Sequence, residues 1–217
     1  VKRSPDGRYL AYTSNHMVGV NSYQLYVVTN RGDNRDAAVL NTNFSGSISD
    51  WEWLPDSSSL VYRGTSFSSV ARVYKKDALE LHSPTSIPAT EDNLGAFALA
   101  DGDVTDFALS PDSENIAFLQ HRIFVNTEQL YANSTAGGMA SSLHAPFDNA
   151  QPKNLDVYQW SPAGDRIMFG ITHRDGGGMI LSTLLFATDP DGSNLVVLNN
   201  SGVGLVVQVG GLIRGSY

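Results

Sequence analysis

Two histidine–arginine pairs, His121-Arg122 and His173-Arg174, are the residues of this chain best suited to chemistry, and Asp175 directly follows the second. Imidazole, guanidinium and carboxylate together suit a polar binding surface, since they supply both donors and acceptors. His16 adds a third imidazole of the same kind. Polar residues also fill exposed loops that bind nothing, and the spacing alone does not separate the two readings. Catalysis finds no support: the chain lacks a Gly-x-Ser-x-Gly elbow, a phosphate-cradling glycine loop ahead of a helix, and paired carboxylates in a recognisable frame. No His-x-His or His-Glu-x-x-His spacing points to a metal, and the absence of cysteine removes thiolate ligands and disulfides.

Asp189-Pro-Asp-Gly-Ser193 has alternating oxygens at Asp189 and Asp191, as at the start of a calcium loop, but lacks the later acidic ligand. A tight turn is the expected reading there, as it is for Asp101-Gly-Asp103 and for the Arg-Gly-Asp at 31–33. No cofactor and no metal are expected. Asn43, Asn133 and Asn199 each open an Asn-x-Ser/Thr triplet and are glycosylation candidates if the chain passes a glycosylating pathway. A net charge of −8 over 217 residues argues against a nucleic-acid partner, which needs a basic stripe. The longest apolar stretch, from Val203 to Ile213, falls short of a bilayer span, so no membrane insertion is expected.

The elements that must hold these groups are visible in a phrase that returns four times. It reads Arg3-Ser-Pro-Asp-Gly-Arg-Tyr-Leu-Ala-Tyr12, Trp53-Leu-Pro-Asp-Ser-Ser-Ser-Leu-Val-Tyr62, Leu109-Ser-Pro-Asp-Ser-Glu-Asn-Ile-Ala-Phe118 and Trp160-Ser-Pro-Ala-Gly-Asp-Arg-Ile-Met-Phe169. Before the proline, apolar side chains alternate (Trp51 and Trp53, Phe107 and Leu109, Tyr158 and Trp160), the period of a half-buried strand. Proline followed by Asp and Gly or Ser presets a tight turn. A second strand then places Leu10/Tyr12, Leu60/Tyr62, Ile116/Phe118 and Ile167/Phe169 in one register. A third strand is expected at Gln24–Tyr26, Arg72–Tyr74, Gln129–Tyr131 and Leu184–Phe186. A fourth is expected at Ala37–Leu40, Ala78–Leu81, Ser141–His144 and Asn194–Leu198.

Prolines at 5, 55, 111 and 162 set a repeat of about fifty residues built only from strands and turns. That is the signature of an all-β propeller of four-stranded antiparallel blades, about four in this chain. The Ser-Pro-Asp-Gly turn, the Ala-Tyr or Ala-Phe strand end, Gln-Leu-Tyr and Asp-Gly together resemble the TolB-like, WD40-like repeat called PD40. Ala163 departs from that pattern by replacing the turn aspartate. The expected blades are 1–46, 47–100, 101–152 and 153–201, with 202–217 an extra or closing strand around Leu205–Val209.

In such a fold the loops between second and third strands open on one face, opposite the proline turns. His16, His121, Arg122, His173, Arg174 and Asp175 are expected in those loops. The resemblance implies a non-catalytic module, periplasmic or extracellular, that binds a protein, peptide or glycan on that face, as part of a larger propeller or assembly. Two alternatives remain open at this point. One is the gating propeller of a prolyl-oligopeptidase-like serine peptidase; the other is a structural subunit that self-associates into an extracellular ring or fibre.

Overall fold

The computed structural model describes residues 1–15, 23–30, 38–39, 47–65, 71–77, 92–93, 102–122, 127–144, 153–177 and 179–199. His16, Asn43, the Arg-Gly-Asp at 31–33, the 78–81 stretch, Asp101 and the segment 202–217 lie outside the described residues. Among the described residues sixteen strands form four antiparallel sheets and no helix occurs. Blade 1 comprises β1 (Lys2–Arg3), β2 (Tyr9–Ser14), β3 (Gln24–Thr29) and β4 (Ala38–Val39). Blade 2 comprises β5 (Ile48–Trp53), β6 (Ser59–Thr65), β7 (Ala71–Asp77) and β8 (Asp92–Asn93). Blade 3 comprises β9 (Gly102–Leu109), β10 (Asn115–Arg122), β11 (Thr127–Ser134) and β12 (Ser141–Ser142). Blade 4 comprises β13 (Lys153–Trp160), β14 (Ile167–Arg174), β15 (Ile180–Thr188) and β16 (Val196–Val197). Within each sheet the strands lie in chain order and pair with their chain neighbours, so each blade is a meander.

At the outer edge of blade 2, β8 pairs with β7, with Asn93 opposite Tyr74 and Asp92 opposite Lys75. The third strand runs on to Asp77, and the fourth strand expected at 78–81 falls outside the described residues.

The repeat is exact at the level of side chains. Tyr12 faces Tyr26, Tyr62 faces Tyr74, Phe118 faces Tyr131 and Phe169 faces Phe186 across the middle strands. All four pairs are stacked, with centroids 5.3–5.7 Å apart. Such cross-strand aromatic pairs stabilise a sheet beyond the area they bury. Blades 2, 3 and 4 present these rings to the blade before them. The opposite face of blade 3, with Ala117, Leu130 and Ala132, packs on Leu155, Trp160, Ile167 and Phe169 of blade 4. Blades 1 and 2 meet in the same way, as do blades 2 and 3.

Two polar clasps join successive blades at equivalent positions. The Trp53 indole donates to the Lys2 carbonyl at 3.3 Å, and the Trp160 indole donates to the Ala108 carbonyl at 3.0 Å. The second clasp lies in the proline turns. Gly7, Ser57, Ser113 and Gly164 all have left-handed φ, between 64° and 77°. Each donates its N–H to the carbonyl three residues back, at 2.8–3.0 Å. Serine is strained there, at a cost of about 1 kcal/mol. Its compensation is visible: Ser57 accepts the Asp6 N–H at 3.0 Å, and Ser113 accepts the Asp56 N–H at 3.3 Å, each from the preceding blade. Ser57→Ala is therefore expected to destabilise by about 1 kcal/mol, because the strain stays and the hydroxyl is lost. Ser57→Gly removes both together and should be near neutral in urea unfolding. Equal effects of the two variants would refute this account of the turn.

The inner strands carry a feature that alternation does not reveal. Pairing skips Ser49 in β5, Thr105 in β9 and Asp156 in β13, a β-bulge six residues before each proline. The Ser49 and Thr105 hydroxyls reach back to the Arg63 and Leu119 carbonyls at 3.4 and 3.3 Å. Bulges raise local twist and re-aim the strand end. Here they do so at the end that carries the histidine–arginine pairs.

Candidate functional site

His121 and Arg122 are the last two residues of β10, and His173 and Arg174 are the last two of β14. Their expected placement in loops is corrected: both pairs stand on strands, because the hairpins between second and third strands extend beyond the aromatic pair. His121 sits in the ladder between Asp103 of β9 and Glu128 of β11. His173 sits between Lys153 of β13 and Ser182 of β15. Asp175 alone lies in a turn, where its carboxylate accepts the N–H groups of Gly177 at 2.9 Å and Met179 at 2.7 Å. The fold thus sets both pairs at corresponding ends of adjacent blades, away from the proline turns, with Asp175 spent on shaping a hairpin.

This rim is held from below by contacts between blades. Asp103 accepts the Ala71 N–H at 2.8 Å, and Arg63 donates to the Val104 carbonyl at 3.2 Å, tying blade 2 to blade 3. Beyond Asp175, Met179 and the first two residues of β15, Ile180 and Leu181, are exposed apolar side chains. An apolar patch beside a cationic edge can grip a partner through packing and charge-assisted hydrogen bonds together. Sequence reasoning missed this patch, although three successive apolar residues after a triple glycine were the available signal.

Asp189 and Asp191 sit in the β15–β16 turn. Asp189 pairs with Arg166 at 3.3 Å and accepts from Asn194 at 2.7 Å, while Asp191 accepts the Ser193 N–H at 2.8 Å. Among the described residues no three His, Asp or Glu side chains gather as a metal-ligand set. Nearby, Asp165, Asp189, Asp191, Asn133 and Ser141 line an open cleft of about 480 Å³ between blades 3 and 4. Ser193 holds the Asp191 carboxyl below the usual carboxylate range, and Ser4 and the Arg8 N–H do the same for Asp6. A depressed carboxylate stabilises the fold above its unfolded value and loses that contribution as pH falls through its folded one. Both turns should therefore weaken below about pH 4, and the acid limb of a melting-temperature profile should flatten in Asp6→Asn.

The two described sequon asparagines use their amides in the fold. Asn133 is buried and donates to the Gly138 carbonyl at 3.2 Å. Asn199 donates to the Thr183 carbonyl at 2.9 Å and accepts the Leu185 N–H at 2.6 Å. A sugar on either nitrogen takes the place of one of its two amide hydrogens and so competes with the donor bond to Gly138 or Thr183.

No protein-family profile and no curated protein matches this sequence. Solved structures do. TolB from Agrobacterium tumefaciens superposes with a TM-score of 0.54 at 20% identity, over 91% of this chain and 63% of that one. An oligogalacturonate lyase from Vibrio parahaemolyticus gives 0.57 at 13% identity, over 92% and 51%. Prolyl oligopeptidase B from Galerina marginata gives 0.57 at 12% identity, over 93% and 26%. The fold is a β-propeller. At these identities the likeness concerns the fold alone, and the chain spans less than two thirds of each of these structures.

Proposed function

We propose that this chain is a non-catalytic, TolB-like propeller module, part of a larger propeller or assembly, that binds a protein, peptide or glycan at the rim carrying His121, Arg122, His173 and Arg174. The observation that carries the module reading is the contrast between equivalent blade faces. Ala117 and Leu143 of blade 3 are buried by the next blade, whereas their equivalents Met168 and Leu198 of blade 4 are 39% and 51% exposed. Val157, Met168, Leu185 and Leu198 there line an apolar groove of about 120 Å³, matching the surface on which each earlier blade receives its neighbour. The rim reading is supported by two cationic pairs at the same end of adjacent blades, beside Met179–Leu181. His16 and Asp175 belong to the same proposed surface. A periplasmic or extracellular setting accords with the TolB likeness.

Peptide and glycan arrays probed with the protein test the rim. A ligand whose binding falls about tenfold or more in the His121→Ala/Arg122→Ala double variant, or in Arg174→Ala, supports it; one anchor commonly accounts for that much. Ligands indifferent to all of these substitutions would move the surface elsewhere. The peptidase-propeller likeness favours one second reading, a gating propeller of a serine peptidase. It requires a hydrolase partner, and a size-excluded peptide that is cleaved faster once blade seams are loosened would support it.

A further inference from the structure

Blades 3 and 4 finish their outer strands with the same device, built from different chemistry. In each, the third strand accepts one ladder bond from the outer strand: Leu143 N–H to the Leu130 carbonyl at 3.0 Å, and Leu198 N–H to the Leu185 carbonyl at 2.8 Å. The reciprocal bond, which a regular ladder would make to a backbone carbonyl, goes to a side chain instead. Asn199 Oδ1 takes the Leu185 N–H at 2.6 Å, and His144 Nε2 takes the Leu130 N–H at 3.2 Å. His144 and Asn199 each follow directly on the paired leucine, so they are equivalents.

The consequence differs because an amide oxygen accepts at every pH, whereas an imidazole nitrogen accepts only while unprotonated. With Nε2 accepting, the neutral ring of His144 carries its hydrogen on Nδ1. A second proton goes to Nε2 and sets an N–H against the Leu130 N–H. Relief by solvent is limited, since His144 is buried. Among the described residues it meets Gln129 of β11, with Nε2 3.5 Å from Nδ1, Ser142 of β12, whose hydroxyl donates to the His144 carbonyl at 2.7 Å, and Phe169 of β14, with centroids 5.8 Å apart. Phe169 belongs to the stacked pair of blade 4, so displacing the imidazole disturbs the seam between the blades.

We propose that His144 is an acid-sensitive clasp: its protonation, below about pH 6 for an imidazole, releases the outer strand of blade 3 and loosens the seam with blade 4. The sign follows from linkage. The clasped ring is neutral and the released one free to charge, so the contribution is present above the unfolded imidazole value and lost as pH falls.

Hydrogen–deuterium exchange read at single amides tests this in the unaltered protein, with Leu185 as the internal control. Between pH 7 and pH 5 the protection factor of Leu130 should fall about tenfold or more, as for one lost hydrogen bond, while that of Leu185 holds. His144→Asn installs the acceptor that blade 4 already uses and should leave Leu130 protection independent of pH. If Leu130 and Leu185 change in parallel across that range, or if His144→Asn retains the acid response, the proposal is overturned.

Discussion

Trp160→Ala is expected to cost about 3–5 kcal/mol, the largest loss for any single side chain of the seams. Trp160 is buried and packs in one cluster with Ala117, Leu130, Leu155 and Ile167, so its removal opens a void between two blades rather than within one. The indole also anchors blade 4 to the inner strand of blade 3 through the Ala108 carbonyl. Trp160→Phe separates the two contributions: it refills most of the volume but strands the carbonyl, for a loss of about 1–2 kcal/mol. Leu109 occupies the equivalent position in blade 3 and has no donor, so Leu109→Phe should show no matching hydrogen-bond loss. Denaturant unfolding of the three variants checks the ranking. A Trp160→Phe loss as large as that of Trp160→Ala would mean that the hydrogen bond, not the packing, holds the seam.

What could be read in the sequence is what depends on residue type at fixed spacing. The proline turns, the alternation before three of them and the aromatics at the ends of the second strands needed no knowledge of partners, and the structure places them at corresponding points of the blades. The features that escaped depend on pairing across strands. Skipping Ser49, Thr105 and Asp156 leaves the inner strands apolar at the expected places, so no periodicity betrays it. Ser57 and Ser113 look like ordinary turn serines until their left-handed φ and their bonds to the preceding blade are seen. At the rim the residue types were legible and their setting was not. His121 and His173 end up in β-ladders because the second strands stay paired to Arg122 and Arg174, four and five residues beyond Phe118 and Phe169. His144 was read as part of an outer strand, and its role became visible only beside Asn199.

Gly102→Ala should be nearly as damaging as the loss of Trp160, and it should reach the rim directly. A Cβ at this position would stand 2.6 Å from the His121 carbonyl oxygen and 2.8 Å from the Gln120 side chain, closer than atoms of those kinds approach. Neither neighbour can yield cheaply. The carbonyl belongs to β10, and Gln120 is fully buried, with its Nε2 donating to the Gly102 carbonyl at 3.0 Å. The strand end must therefore separate from β9, breaking the pairing of Gly102 with Arg122 and of Asp103 with His121. Overpacking of this kind costs about 1–3 kcal/mol, and losing the buried glutamine bond adds about 1–3 more. Asp103 would also be displaced from the Ala71 N–H, so the damage should spread to the seam with blade 2. Amide exchange would show it as lost protection at His121 and Ala71 with the proline-turn end of blade 3 unaffected. Uniform loss of protection through blade 3 would mean instead that the glycine serves the whole sheet, and that the rim is not a separately held structure.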